Sequence, residues 1–405
     1  MNKMYNLDMI ERNIKLFKWN YFFSGLWPLS TLVIIYFQQI THSYAMAMAI
    51  FSVSSITTTL MEIPTGIFSD KVGRRRTLIY AAITILICFF LWALAGQVQQ
   101  VWMLFVGAFL WGTSDALLSG TDEALMYETM EELGRKEDFN LLFSKSAGFN
   151  QIGLGVSAIT AAIITYFYSL QTLAWISVFP IIGELIIALL YVEPKHKGNL
   201  HQVSSYKHFL IAFRRLWRNH RLRFYSIVSM LDTSVGMASH RFESAYYETL
   251  IPAWMINLAR LVKQTCGTIG FFMVEHIRKL GMVKIFFGSM LANVFIRIVG
   301  VCMNNFITPF WVGTVNLFYA TGQTSGADIL QKEFSKEQRA TMKSIISLCG
   351  GIIMAIMMYL FGFIADISTP RIAIALAILI KLLVTMTSLV ILKKSKIKQI
   401  NPANF

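Results

Sequence analysis

The chain has 405 residues, 55% of them hydrophobic and only 14% charged, with a formal net charge of +14. A soluble protein of this length carries nearer a quarter charged residues, so the soluble-globular class is excluded. The basic excess sits in short segments between apolar runs, where it reads as a topology signal and as contacts to anionic headgroups, not as a nucleic-acid interface.

Apolar runs fall at 17–38, 44–69, 77–96, 100–124, 146–168, 171–192, 223–248, 252–274, 284–303, 307–329, 344–365 and 371–392. Most reach the roughly 20 residues that a spanning helix needs. The chain is therefore expected to be an all-α membrane protein of about twelve spans. The first residues are polar and mixed in charge, and the first run ends without an A-x-A site, so this span is expected to stay as the insertion signal. The connectors alternate in character. "QQITHS", "GQVQQ", "YSLQT", "MNNFIT" and "STPR" are almost free of Lys and Arg, whereas "DKVGRRR", "EHIRKLGMVK", "KEFSKEQRATMK" and "KKSKIK" are basic. The basic set is expected inside, which puts both termini in the cytoplasm of a bacterial inner membrane.

The longest connector, 193–222, separates an expected first half, 1–192, from a second, 223–405. Within it Phe209, Phe213, Leu216 and Trp217 have helical spacing and are flanked by Lys207, Arg214, Arg215 and Arg218, which predicts an amphipathic helix on the inner leaflet. The halves echo one another. "SGTD" at Ser119–Asp122 recurs as "SGAD" at Ser325–Asp328, and "DKVG" at Asp70–Gly73 as "RKLG" at Arg278–Gly281, at offsets of 206 and 208 residues. Duplication of a six-helix unit explains both. Cys88, Cys266, Cys302 and Cys349 all lie in apolar runs and read as packing residues, neither a disulfide framework nor a metal site.

The segment "GIFSDKVGRRR", Gly66 to Arg76, has glycines at both ends of an acid–base turn. Gly66 is expected to allow close helix approach and Gly73 a tight turn. Asp70 sits at a helix C-terminus, where a carboxylate is disfavoured unless something compensates it. Arg74–Arg76 can also be read as topology signals alone, but that leaves the acid and the glycines unexplained. The segment resembles the signature of the major facilitator superfamily between its second and third helices, at every position of G-x-x-x-D-[RK]-x-G-R-[RK]-[RK]. The resemblance implies two pseudo-symmetric six-helix bundles. It also implies a conformational latch of Gly66, Asp70, Lys71, Gly73, Arg74 and Arg75, with Asp70 directed to the start of helix 11 near Lys343 and Ser344. The loop Arg would pair with an acid ending helix 4, which Asp122 or Glu123 matches by position. In the second copy Arg278 replaces the acid and Met282 the arginine, so that latch is expected to be weaker. "EIPTG" at Glu62–Gly66 is similar to a bacterial subgroup that includes tetracycline-type efflux proteins, whereas helix 5, "SAGFNQIGLGVSAITAA", lacks the G-P-x-x-G-G element of drug antiporters. Pro64 is expected to kink or loosen helix 2.

Ionisable groups within spans cost about 2.5–3.5 kcal/mol each and are functional candidates. The first half holds Glu62, Asp115 and Glu184; the second holds Asp232 and Glu243 with Arg241, Arg260, Lys263, Arg297 and Lys381. Three readings stand together: acids of the first half pairing with bases of the second, an anion-binding cavity, and snorkelling, with Lys381 the foremost snorkeller. His240 is expected to be a hydrogen-bonded polar residue. In the anion reading Arg241, Arg260, Lys263, Gln264, Asn316 and Tyr319 contact substrate. Trp19, Asn20, Tyr21, Ser24, Trp111 and Ser114 add polarity or packing. Asp115, Asp232 and Glu62 are the candidate proton carriers, with Asp115 and Asp232 preferred and Glu62 more structural.

No G-x-x-x-x-G-K-[ST] loop and no clustered nucleophile or metal ligands occur. The expectation is a non-enzymatic, monomeric, proton-coupled secondary transporter without cofactor. Its partners are the lipid bilayer and a small organic anion such as a carboxylate or siderophore-type chelate. Proton-driven efflux of a drug is the alternative, and a non-transporting membrane sensor a remote one.

Overall fold

The computed structural model describes residues 2–194, 220–322, 325 and 336–395. No strand occurs among them. In the first half α1 (Asn2–Gly25) and α2 (Val33–Thr41) form one interrupted span, followed by α3 (Tyr44–Val72), α4 (Arg74–Val98), α5 (Val101–Leu118) with α6 (Thr121–Glu132), α7 (Phe139–Phe167), and α8 (Leu170–Ile176) with α9 (Val178–Leu190). The second half has α10 (His220–Glu248), α11 (Ala253–Ile277), α12 (Met282–Met303), α13 (Thr308–Gly313) continued by helical residues 315–322, α14 (Lys336–Ile367) and α15 (Pro370–Ser395). The predicted amphipathic helix, and Asp328 of the repeat, lie outside the described residues.

Eight helical segments among the described residues are long and apolar enough to cross a membrane. The first span misses this standard because it is broken, and the tenth because part of it is not described. Helices α10 and α11 miss it because they carry charge: Asp232, Arg241 and Glu243 on one, Arg260 and Lys263 on the other. The two spans least suited to lipid are thus the two that must face something polar. Large apolar side chains are exposed on several helices, with Phe272 at 74%, Phe179 at 69% and Ile367 at 69%. These are expected to meet acyl chains.

Local chemistry sets the breaks. Pro28 opens a 3-10 turn, Pro28–Thr31, inside the first span, and the Leu29 amide freed there donates to Ser177 Oγ at 3.0 Å. Gly120 has φ +72° between α5 and α6, and Gly73 has φ +103° between α3 and α4, the left-handed region that glycine enters without a Cβ clash. The tight turn expected at Gly73 is present. At Gly66 a Cβ would meet nothing within 4 Å, so close approach is not what that glycine supplies in this conformation. The expected kink or loosening at Pro64 does not break the helix: α3 runs unbroken through it. The four cysteines are free thiols, with Cys88 buried.

The end of the bundle bearing the connectors almost free of Lys and Arg is called the outer end below, and the other the inner end. At the outer end the halves are sealed. Asp366, closing α14, accepts from Ser43 Oγ (2.6 Å), Tyr44 N (2.7 Å) and Ala45 N (2.9 Å). It thereby caps α3 across the boundary between halves, with anionic charge at a helix N-terminus. Beside it a Cβ on Gly362 would collide with the Tyr44 carbonyl. The Tyr166 and Trp254 rings meet edge to face at 5.7 Å. Further in, Ser52 and Ser55 donate to the Ala355 and Gly351 carbonyls at 2.7 and 3.1 Å. The innermost cross-half bond on this seam among the described residues is Ser347 Oγ to Glu62 Oε2, 3.0 Å.

Candidate functional site

Between the halves lies a cavity of about 350 Å³, walled by α3, α5, α10 and α14. Its α3 wall presents Ser54, Ser55, Thr58 and Thr59, a row that helical spacing brings to one side, and α10 adds Thr233 and Ser234. Among the described residues two charges face this hydroxyl-rich chamber, Arg241 and Asp115. The Arg241 guanidinium stands 4.8 Å from the Trp111 ring and 5.2 Å from that of Phe51. Cation–π attraction of this kind is worth about 2 kcal/mol when desolvated, and it leaves the N–H edges of the guanidinium unspent. Asp115, one helical turn after Trp111 on α5, lies deep between the halves yet is accessible from the cavity.

The other deep bases are already engaged. Glu243, 4% exposed, takes Lys263 Nζ on one oxygen and Arg297 Nη1 on the other, each at 2.6 Å. Asn293 accepts from Arg297 Nε at 3.1 Å, and Lys263 also reaches His240 Nδ1 at 2.9 Å. Lys381 pairs with Asp232 at 3.4 Å, so the expected snorkeller is instead an ion-pair partner, because α15 packs against α10. Arg260 donates to Ser30 Oγ at 2.6 Å and to Thr31 Oγ1, two side-chain hydroxyls of the 3-10 turn in the first span. The bases thus pair mainly within the second half and not with acids of the first.

Of the remaining expected contacts, Gln264 donates to Gln151 Oε1 on α7. Asn316 packs beside Gly267 of α11, and Tyr319 is 49% exposed; neither lines the cavity. Trp19 is also exposed, at 51%, and Ser114 is buried on the Ala81 carbonyl at 2.9 Å.

At the inner end the signature loop is organised within the first half. Arg74 pairs with Asp70 at 2.8 Å and with Glu128 at 3.4 Å. The acid that meets the loop arginine is therefore Glu128, not Asp122 or Glu123: the Gly120 turn restarts the helix, and Glu128 is the acid that its new phase brings to Arg74. Asp122 instead accepts from Tyr21 OH at 3.0 Å, and Glu123 is exposed. The first amides of α4 are capped by Glu193, whose two oxygens accept from Arg74 N and Arg75 N at 2.7 Å each. Arg75 also donates to the Leu189 carbonyl at 2.7 Å. Lys71 is exposed, and the side chains of Lys343 and Ser344 lie outside the described set. Glu128, Glu193 and Asp366 went unpredicted. Each is an acid at or near a helix end; Glu193 directly precedes Pro194 and Asp366 stands four residues before Pro370, the one signal the sequence offered.

Paired six-helix halves around a polar chamber, with hydroxyls and, among the described residues, one cation and one carboxylate on its wall, define a multi-pass carrier of small molecules. The sequence profile described as Major Facilitator Superfamily matches residues 20–274, and the chain belongs to that family of transporters. A relative described as an uncharacterized transporter of Buchnera aphidicola is 23% identical over 222 residues. That match takes in 54% of this chain and 53% of the relative, so the chain spans about half of that protein's length. Among solved structures the fold is similar to nucleoside transporter NupG (TM-score 0.76, 15% identity, 95% of this chain and 99% of that one). It is also similar to a D-xylose-proton symporter (TM-score 0.66, 13% identity, 92% and 96%) and to the POT family transporter PepTSo (TM-score 0.70, 10% identity, 96% and 99%).

Proposed function

We propose that the chain carries a small organic anion bearing hydroxyl groups, anchored by Arg241, through a bacterial inner membrane with both termini cytoplasmic. The halves are then 1–192 and 223–405, joined by 193–222, and the carrier works as a monomer. The observation that carries this reading is the one cation that the described residues put on the chamber wall: Lys263, Arg297 and Lys381 have carboxylate partners, while Arg241 lines the cavity on the Trp111 and Phe51 rings without a salt bridge. A guanidinium so placed recognises a carboxylate or phosphate bidentately. The serine and threonine row answers to hydroxyls on the same molecule. A volume of about 350 Å³ is at the low end of the roughly 300–1,000 Å³ of ligand pockets, which favours a small carboxylate over a bulky chelate. The drug-efflux alternative would use Asp115 and the two rings for a cation, but Arg241 already occupies that seat.

Asp115 is the carboxylate we assign to proton coupling, since it faces the same chamber without a salt bridge. Asp232 and Glu62 are held by Lys381 and Ser347. With the outer end sealed and Asp70 tied to its own half, the conformation is read as inward-facing.

The test is ligand binding by thermal shift with mono-, di- and hydroxycarboxylates. Arg241→Ala is expected to weaken the binding ligand about ten- to hundred-fold, from about 1.5–3 kcal/mol for charge-assisted bonds, and Arg241→Lys less. Unchanged affinity of every anionic ligand in Arg241→Ala would sink the assignment.

A further inference from the structure

A second chamber of about 300 Å³ lies inside the first half, among α1, α4, the end of α5, α6, α7 and α9, with a lining that shares no residue with the cavity between the halves. Its chemistry differs. Among the described residues no Lys, Arg or His lines it, and it holds two carboxylates from different helices, Asp122 and Glu184. Asp122 accepts from Tyr21 OH at 3.0 Å. Glu184 has neither a hydrogen bond nor a salt bridge among the described residues, although it lies within the span. Asn150 spends its amide N–H groups on Tyr21 O (3.1 Å) and Ser24 Oγ (3.0 Å), which leaves its oxygen to the chamber.

An independent observation points to a missing ligand. Tyr191 lines the same chamber and is only 2% exposed. Its hydroxyl nevertheless has no hydrogen-bond partner. A buried hydroxyl without a partner is costly, and so is a pair of carboxylates in a low-dielectric bundle with no counter-charge. A bound cation with water relieves both at once: the carboxylates gain a counter-ion and the hydroxyl gains a water to bond.

We propose that this chamber is an inorganic-cation site, in which an alkali cation with part of its water shell sits between Asp122 and Glu184. Carboxylate, carboxamide and hydroxyl oxygens are hard donors and suit hard cations. The described residues contain no group of three or more His, Cys, Asp or Glu, which argues against a divalent cage. At roughly 30 Å³ per water the chamber has room for a cation that stays partly hydrated. Gln151 lines it and also accepts from Gln264 of α11. Occupancy is thereby linked to the helix that carries Arg260 and Lys263, and so to the contact between halves.

The experiment measures thermal unfolding of the purified full chain in nanodiscs, without organic substrate. NaCl, LiCl and KCl are compared with N-methylglucamine chloride at equal ionic strength. At least one alkali cation is expected to raise the midpoint by about 3 °C or more, as ligand linkage requires. Glu184→Gln and Asp122→Asn should each remove that response, and Asp138→Asn, an exposed carboxylate away from both cavities, should keep it. Equal midpoints in all four salts overturn the proposal, as does a cation response that survives in Glu184→Gln and Asp122→Asn. Should Glu184→Gln not purify, Asp122→Asn alone decides between these outcomes. The reading of Arg241 can fail without touching this result, since no anion enters the assay.

Discussion

The outer seal rests on a carboxylate that belongs to one half and caps a helix of the other, so its removal should shift the balance of states without disturbing either bundle. Asp366 accepts three hydrogen bonds at the start of α3, from Ser43, Tyr44 and Ala45. Buried charge-assisted bonds of this kind would each contribute about 1.5–3 kcal/mol. Asp366 is exposed, and the scale for an anion at an accessible helix terminus is about 0.3–1 kcal/mol, reaching about 2 in favourable geometry. About 1–2 kcal/mol is therefore lost from the outer-closed state in Asp366→Ala, a shift of about five- to thirty-fold in the ratio of states. Asp366→Asn keeps an acceptor and should shift less. The assay replaces Cys88, Cys266, Cys302 and Cys349 and places a single cysteine at Met358, which lines the cavity at 2% exposure. Its alkylation by a membrane-impermeant maleimide added outside should accelerate in the order wild type, Asp366→Asn, Asp366→Ala, with Glu248→Gln as control. Equal rates in all four would refute the argument that this cap holds the outer end closed.

The Glu243 cluster should behave as a unit. Glu243→Gln leaves Lys263 and Arg297 facing each other without a counter-charge and should cost about 3–5 kcal/mol, read as a lower melting midpoint of the purified protein. Adding Lys263→Met and Arg297→Met should recover most of it, and failure to recover would mean that the cluster is not the source of the loss. At the inner end, Asp70→Asn and Arg74→Ala should leave the protein in the membrane at near-normal level but cut transport severely. Glu128→Gln should resemble Arg74→Ala, and Glu123→Gln the wild type; normal transport in Glu128→Gln would return the arginine to a topology signal.

How far the sequence carried this picture depended on the range of the interaction. The spans, the repeat and the signature turn are local or periodic, and hydropathy, Gly73 and Gly120 announced them. That α10 and α11 must face something polar followed from the cost of their charges alone. Partner choice was not legible, because it depends on helix rotation and depth. Lys381 finds Asp232 only once α15 lies on α10, and a six-residue step from Asp122 to Glu128 changed the acid that meets Arg74. Arg260 could not be placed because no linear pattern shows that α11 lies against the Pro28–Thr31 turn, which carries its two hydroxyl acceptors. Glu184 was noted as an intramembrane acid, but the chamber it faces is made by several helices meeting, and no linear pattern encodes that.

Glu243 shares its one negative charge between two positive ones, so the cluster as a whole is a monovalent cation fixed in the outer part of α10, α11 and α12. A fixed charge inside the bilayer feels the electrical gradient across it, about 2.3 kcal/mol per elementary charge for a full crossing at 100 mV. If the second half carries the cluster through a fifth of that drop when the halves exchange orientation, the work is about 0.5 kcal/mol. With an inside-negative potential, the orientation that moves the cluster inward is favoured a little over twofold. Energising the membrane would then set the resting orientation of the empty carrier as well as the driving force on its load.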